Sequence, residues 1–188
     1  MILGKLYLGL DGFWQDFNIA AACANCQDPD CVGYVWLLKE EADSLYELGV
    51  PIIEINDGPC FIHSFPQALG GGIDFSYRYP PCNQLCQGTR RCSIYENRPL
   101  VCRLYPLALE MQPNGMVMWV LHQDCEFVRR QKRLGLLTDF EEVARRVLSR
   151  IPQVVLTKLV ITYRAVYDIS LFPDGPNQTK IIKEAENV

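Results

Sequence analysis

The sequence predicts an α+β fold: one small domain with a cysteine-rich, metal-organised irregular region and C-terminal helices. Three observations carry this. The 188 residues are 49% hydrophobic and 21% charged, a globular composition with enough chain for a real core. All nine cysteines fall between Cys23 and Cys125, in a stretch broken by prolines and glycines. Beyond Cys125 the apolar residues recur at helical spacing.

Taken in order, Lys5–Leu10 alternates loosely and is expected to form a short strand or turn. Val35–Gly49 places Leu37, Leu38, Ala42, Leu45 and Leu48 at helical spacing, with Gly49 as its stop. Val50–Asp57 reads as a strand closed by the Asp57-Gly58 turn. Residues 59–92 hold too few periodic apolar positions to keep their shape by packing, and a bound metal is expected to supply what the core does not. Leu107–His122 has two apolar runs about Pro113-Asn114-Gly115, a β-hairpin. "TDFEEVARRVLSRI" predicts a helix capped by Thr138 or Asp139, and the segment from Pro152, whose β-branched residues would also suit a strand, is read as a second helix because it is too long for one ordinary strand. The tail from Pro173 is polar and expected to lie on the surface or fray. The expected organisation is therefore a single domain over 1–188: a cysteine-cluster region at about 20–125, a helical part at 126–172 and a polar tail at 173–188.

A net charge of −4 gives no global attraction to nucleic acid or to an anionic membrane, and neither partner is expected; an unidentified protein partner is compatible with the sequence. No window approaches eighteen apolar residues, so no transmembrane helix is expected. The N-terminal apolar run is broken by Asp11 and Asp16, so the "AAAC" at Ala20–Cys23 is not read as a lipoprotein cleavage site and a cytoplasmic location is expected. In a reducing compartment, clustered cysteines are metal ligands or catalysts more often than crosslinks, and nine cannot all pair.

The cysteines form two groups. Cys23, Cys26 and Cys31 make C-x2-C-x4-C, in which a tight turn aims neighbouring sulfurs at one ion. Cys82, Cys86, Cys92 and Cys102 form the second group. These seven are the candidate metal ligands, with Cys60 and Cys125 as further thiols of either structural or ligating use. Soft sulfur donors select zinc, copper(I) or iron–sulfur clusters. Arg90, Arg91, Arg98 and Arg103 lie close in sequence to the second group and can offset the charge of several thiolates.

The run Cys92 to Pro106, C-x-I-Y-x-x-R-P-x-x-C-R-x-Y-P, resembles the signature of the YkgJ-type cysteine-cluster family, a zinc- or iron-chelating group. Ile94, Tyr95, Arg98, Pro99, Cys102, Arg103, Tyr105 and Pro106 fit it, and Cys82 or Cys86 stands where the family has a preceding cysteine. The resemblance covers about residues 20–108. The first group departs from the family pattern: Val32 follows Cys31, so the double cysteine is absent, and Cys60 or Cys125 is a candidate replacement. The resemblance implies a site for an iron–sulfur cluster, [4Fe-4S], or Zn2+, in an electron-transfer or structural role. Part of the family, the flagellin lysine-N-methylases, is associated with an iron–sulfur cluster, so a protein-modifying, methyltransferase-like enzyme is the alternative, and a zinc-stapled interaction module a third reading.

Other features read more plainly. His63 and His122 are the only histidines, too few for a serine-type hydrolase and more ordinary as capped or surface residues than as ligands. The glycines of "LGGGIDF", Leu69–Phe75, follow no strand pattern and are read as a loop, not a cofactor cradle. "RRQKR", Arg129–Arg133, reads as a solvated helix face, and Tyr95 and Tyr105 as packing about the site.

Overall fold

The structure is a computed structural model, and it describes residues 2–17, 19, 22, 33–65, 81–86, 88, 89, 91–169 and 179–185. Among these, six α-helices alternate with small antiparallel sheets, which establishes the α+β class. None of the described helices is long and apolar enough to cross a membrane. The chain forms two compact units. One comprises Met1–Asp28, Arg103–Ile161 and Pro176–Val188, the other Pro29–Cys102 and Thr162–Gly175.

The first unit opens with helix α1, Ile2–Phe17. This overturns the expected strand or turn at Lys5–Leu10. Leu3, Leu6, Tyr7, Leu10 and Asp11 are wholly or partly shielded, while Gly4, Lys5, Leu8, Gly9 and Gly12 face solvent, a 3.6-residue period that the local alternation concealed. Phe17 meets Phe127 and Phe140 edge-on, at centroid distances of 6.4 and 5.2 Å. Tyr7 and Asp11, one turn apart, both engage Arg103: the guanidinium lies 4.5 Å over the Tyr7 ring and pairs with the Asp11 carboxylate.

The sheet of this unit contains strands β6, Leu107–Met111, β7, Val117–His122, and β8, Thr179–Glu184, in the order β6-β7-β8. The hairpin β6–β7 is the expected one, in register Leu109↔Trp119. Its turn closes with the Gly115 N–H donating to Gln112 O at 2.8 Å and the Met116 N–H to Asn114 Oδ1 at 3.1 Å, and the positive φ of Gly115 (81°) is one that glycine adopts without strain. Strand β8 corrects the expectation for the tail. It pairs antiparallel with β7, buries Ile182, and sends Lys180 Nζ to both oxygens of buried Glu141 at 2.6 and 2.7 Å.

Glu141 lies on α5, Leu137–Leu148, which follows α4, Glu126–Arg133. Leu136, not Thr138 or Asp139, is the N-cap of α5, because the Phe140 N–H already donates to Leu136 O at 3.1 Å. Thr138 and Asp139 occupy the first turn instead. The four basic residues of Arg129–Arg133 are solvent-exposed on α4, as expected of a solvated face, while Gln131 is buried. Helix α6, Gln153–Asp168, follows Pro152 as expected, and the boundary between the units falls within it.

The second unit contains a three-stranded sheet of order β1-β3-β2, with β1 at Trp36–Leu37, β2 at Ile52–Glu54 and β3 at Cys60–Ile62. Helix α2 spans Lys39–Glu47, so the expected helix starts four residues later than its apolar spacing suggested; Trp36 and Leu37 pair with Phe61 and Cys60 instead. Gly49 ends it with φ 79°. Strand β3 arises inside the segment expected to be irregular. Its face alternates: Cys60 and Ile62 pack with Leu37, Ala42, Leu45, Val50 and Cys82, while Phe61 meets Phe65 and Phe65 stacks on Tyr34 at 4.1 Å. "LGGGIDF" lies outside the described residues.

Candidate metal centre

The second cysteine group sits on a small hairpin. Strand β4, Leu85–Cys86, pairs with β5, Arg91–Cys92, in register Leu85↔Cys92 and Cys86↔Arg91. Two-residue strands do not hold themselves together. Here the ladder is extended by the Ser93 N–H donating to Gln84 O at 2.7 Å, and Ser93 Oγ meets Gln84 Oε1 at 2.8 Å. The turn before β4 is anchored to the end of β3: Asn83 Nδ2 donates to His63 O at 2.5 Å and the Asn83 N–H to Ser64 Oγ at 3.3 Å.

These anchors hold sulfur atoms among donors. Burial pushes the Cys82 thiol up, and the nearby Cys92 charge adds to this; the N–H groups of Gln84 and Leu85 and the Ser64 hydroxyl act in the opposite sense. Burial likewise pushes the Cys92 thiol up against the Ile94 N–H and the Arg98 guanidinium. Cys86 is exposed, and its thiol is drawn below the usual range by the Thr89 hydroxyl and the N–H groups of Thr89 and Gly88. One pattern repeats three times: a sulfur followed by a backbone that turns back so that the N–H two residues on, and for Cys86 also three residues on, faces it, while the Leu85 N–H closes the Cys82 turn by donating to Cys82 O at 2.9 Å. A neutral thiol is a weak acceptor, whereas a thiolate bound to a metal is stabilised by such donors. The donor set therefore fits a thiolate-held metal.

Beyond Cys92 the chain makes a 3-10 turn at Tyr95–Asn97, and Arg98 lays its guanidinium 4.0 Å over the Tyr95 ring. Helix α3, Leu100–Leu104, then carries half-buried Cys102. Of the four arginines expected to balance thiolate charge, Arg98 is near Cys92, Arg91 is exposed beside it, and Arg90 lies outside the described residues. Arg103 pairs with Asp11 and lies over the Tyr7 ring.

Cys60 is buried in β3, its thiol pushed up by burial above all and 3.9 Å from Glu54 Oε2, which also takes the Lys39 ammonium at 3.0 Å. Cys125 is buried as the N-cap residue of α4, in the other unit from Cys82 and Cys92. His63 is half-buried near Phe65, and His122 stacks on Tyr105 with Asp124 3.8 Å from its Nδ1. Among the described residues no three His, Cys, Asp or Glu side chains are close enough to share an ion. The hairpin brings Cys82 and Cys92 together; Cys23, Cys26 and Cys31 lie outside the described residues. Sequence reasoning missed Ser64, Thr89 and Asn83, because a hydroxyl or amide that supports a sulfur carries no spacing signal.

An α+β chain that gathers its cysteines in turns whose N–H groups face the sulfurs has the make-up of a cysteine-cluster protein. The particular family follows from residues 22–130, which match the family described as "Putative zinc- or iron-chelating domain". The match spans more than half of the chain, and the chain belongs to this family. Neither a curated protein nor a solved structure matches it.

Proposed function

We propose that this protein holds an iron–sulfur cluster of the [4Fe-4S] type through its clustered cysteine thiolates, in an electron-transfer or structural role. The observation that carries the reading is the repeated turn of N–H groups onto the sulfurs of Cys82, Cys86 and Cys92. Such donors stabilise the anionic sulfurs that a cluster needs and tune its potential. A [4Fe-4S] cluster takes four thiolates, drawn here from Cys82 and Cys92, which stand together on the hairpin, from Cys86 and Cys102 of the same segment, and from Cys23, Cys26 and Cys31 of the first group. A cluster held in this way supplies one-electron exchange, or a crosslink that organises a segment with little core of its own. Ser64 and the Gln84 and Leu85 amides oppose the effect of burial on Cys82, as Ile94 and Arg98 do on Cys92, and Thr89 draws the Cys86 thiol down.

Anaerobic purification followed by iron, zinc and acid-labile sulfide analysis and a visible spectrum tests this. A brown protein with iron and sulfide in equal amounts is the expected result. A colourless protein with stoichiometric zinc and no sulfide replaces the cluster by a structural zinc site, and a protein without metal removes both.

A further inference from the structure

Glu41 is a glutamate with 5% of its surface exposed, and its carboxylate spans two helix starts. Oε2 accepts the N–H of Leu38, the N-cap of its own helix, at 3.0 Å, and Oε1 accepts the N–H of Leu100, the first residue of α3, at 2.6 Å. Only the carboxylate half of a capping box is formed here, since the Leu38 side chain has no oxygen to offer in return. Burying a carboxylate is unfavourable unless it is well bonded, so a single capped amide on α2 is a poor reason to place one at this depth. The second bond reaches 59 residues along the chain, to the helix that carries Cys102 two residues further on.

We infer that Glu41 is a positioning residue for the metal centre, fixing the start of α3 so that Cys102 is presented as a ligand. The inference rests on the proposed function, in which Cys102 ligates. Helix α3 has only five residues, too short to hold its own orientation through internal hydrogen bonds, and Pro99 before it contributes no N–H. The Leu100 amide is thus a natural handle on the helix, and a carboxylate is the strongest neutral-pH acceptor for it.

The test is the rate at which the protein, purified with its own metal, releases it to excess chromophoric chelator. Wild type, Glu41→Gln, Cys102→Ser and the double variant are compared, with far-UV circular dichroism confirming the fold of each. Glu41→Gln is expected to release metal about tenfold faster than wild type, the usual scale for groups that orient a ligand. The double variant is expected to release no faster than Cys102→Ser alone, because Glu41 acts through Cys102. A glutamate that served only the fold would instead speed release equally in both backgrounds, which overturns the inference. Wild-type release by Glu41→Gln beside fast release by Cys102→Ser also overturns it, leaving the ligand assignment standing. Wild-type release by Cys102→Ser removes Cys102 from the ligand set and the inference with it. Should Glu41→Gln not fold, Glu41→Asp, which keeps the charge but is one methylene shorter, is read by the same criteria.

Discussion

Ser64 illustrates what single residues contribute to the proposed centre. Its hydroxyl hydrogen-bonds the Cys82 sulfur, and its oxygen accepts the Asn83 N–H at 3.3 Å, so one side chain both stabilises the sulfur and fixes the turn that carries it. Ser64→Ala removes this donor from a thiol that burial already pushes up, and the proton then competes better with the metal. We expect metal affinity to fall roughly tenfold, measured by chelator competition, with the far-UV spectrum unchanged; unchanged affinity would exclude Ser64 from the site. The cysteines themselves were legible in the sequence because C-x2-C and the Cys92–Pro106 run are local patterns with a mechanical reason. Ser64 and Glu41 were not, since each acts on a residue far along the chain: Glu41 accepts from Leu100, and Ser64 serves Cys82. The partners of Arg103 were hidden for the same reason. Its neighbour in sequence is Cys102, but its ion-pair partner is Asp11.

Elements were legible where periodicity was long and tertiary pairing unnecessary. The hairpin β6–β7 and helix α6 lie where expected, each with turn or length signals of its own. Helix α1 was missed because three glycines and a short alternation masked its period, and β8 because "TKIIKE" offers only two apolar residues. Pairing with β7 supplies the backbone partners that make this strand, and Glu141 on α5 receives its lysine. The register makes a sharp prediction. Ile182 is buried and Ile181 is half exposed, so Ile182→Ala should cost about 2–4 kcal/mol in chemical denaturation while Ile181→Ala stays within about 0.5 kcal/mol of wild type. Equal, small effects would return the tail to the frayed state that its composition suggested. The two-residue strands β4 and β5 were beyond any periodicity, since they depend on the Ser93–Gln84 bonds and on the anchor to His63 and Ser64.

For the whole molecule, the α+β class followed from composition and pattern, and the family from the Cys92–Pro106 signature, which the match over residues 22–130 bears out. The centre proposed here is built on the hairpin, where buried Cys82 and half-buried Cys92 stand beside each other, whereas buried Cys125 is the N-cap residue of a helix. Structural zinc in small peptides contributes about 10–16 kcal/mol of apparent binding energy, which sets the scale on which a bound metal can organise a segment whose own strands are two residues long. The most direct measurement is therefore metal per chain, after anaerobic purification, in wild type, in the Cys82→Ser/Cys92→Ser variant and in Cys125→Ser. The account predicts that the double variant loses its metal while Cys125→Ser keeps the wild-type complement. Wild-type metal content in the double variant would contradict it.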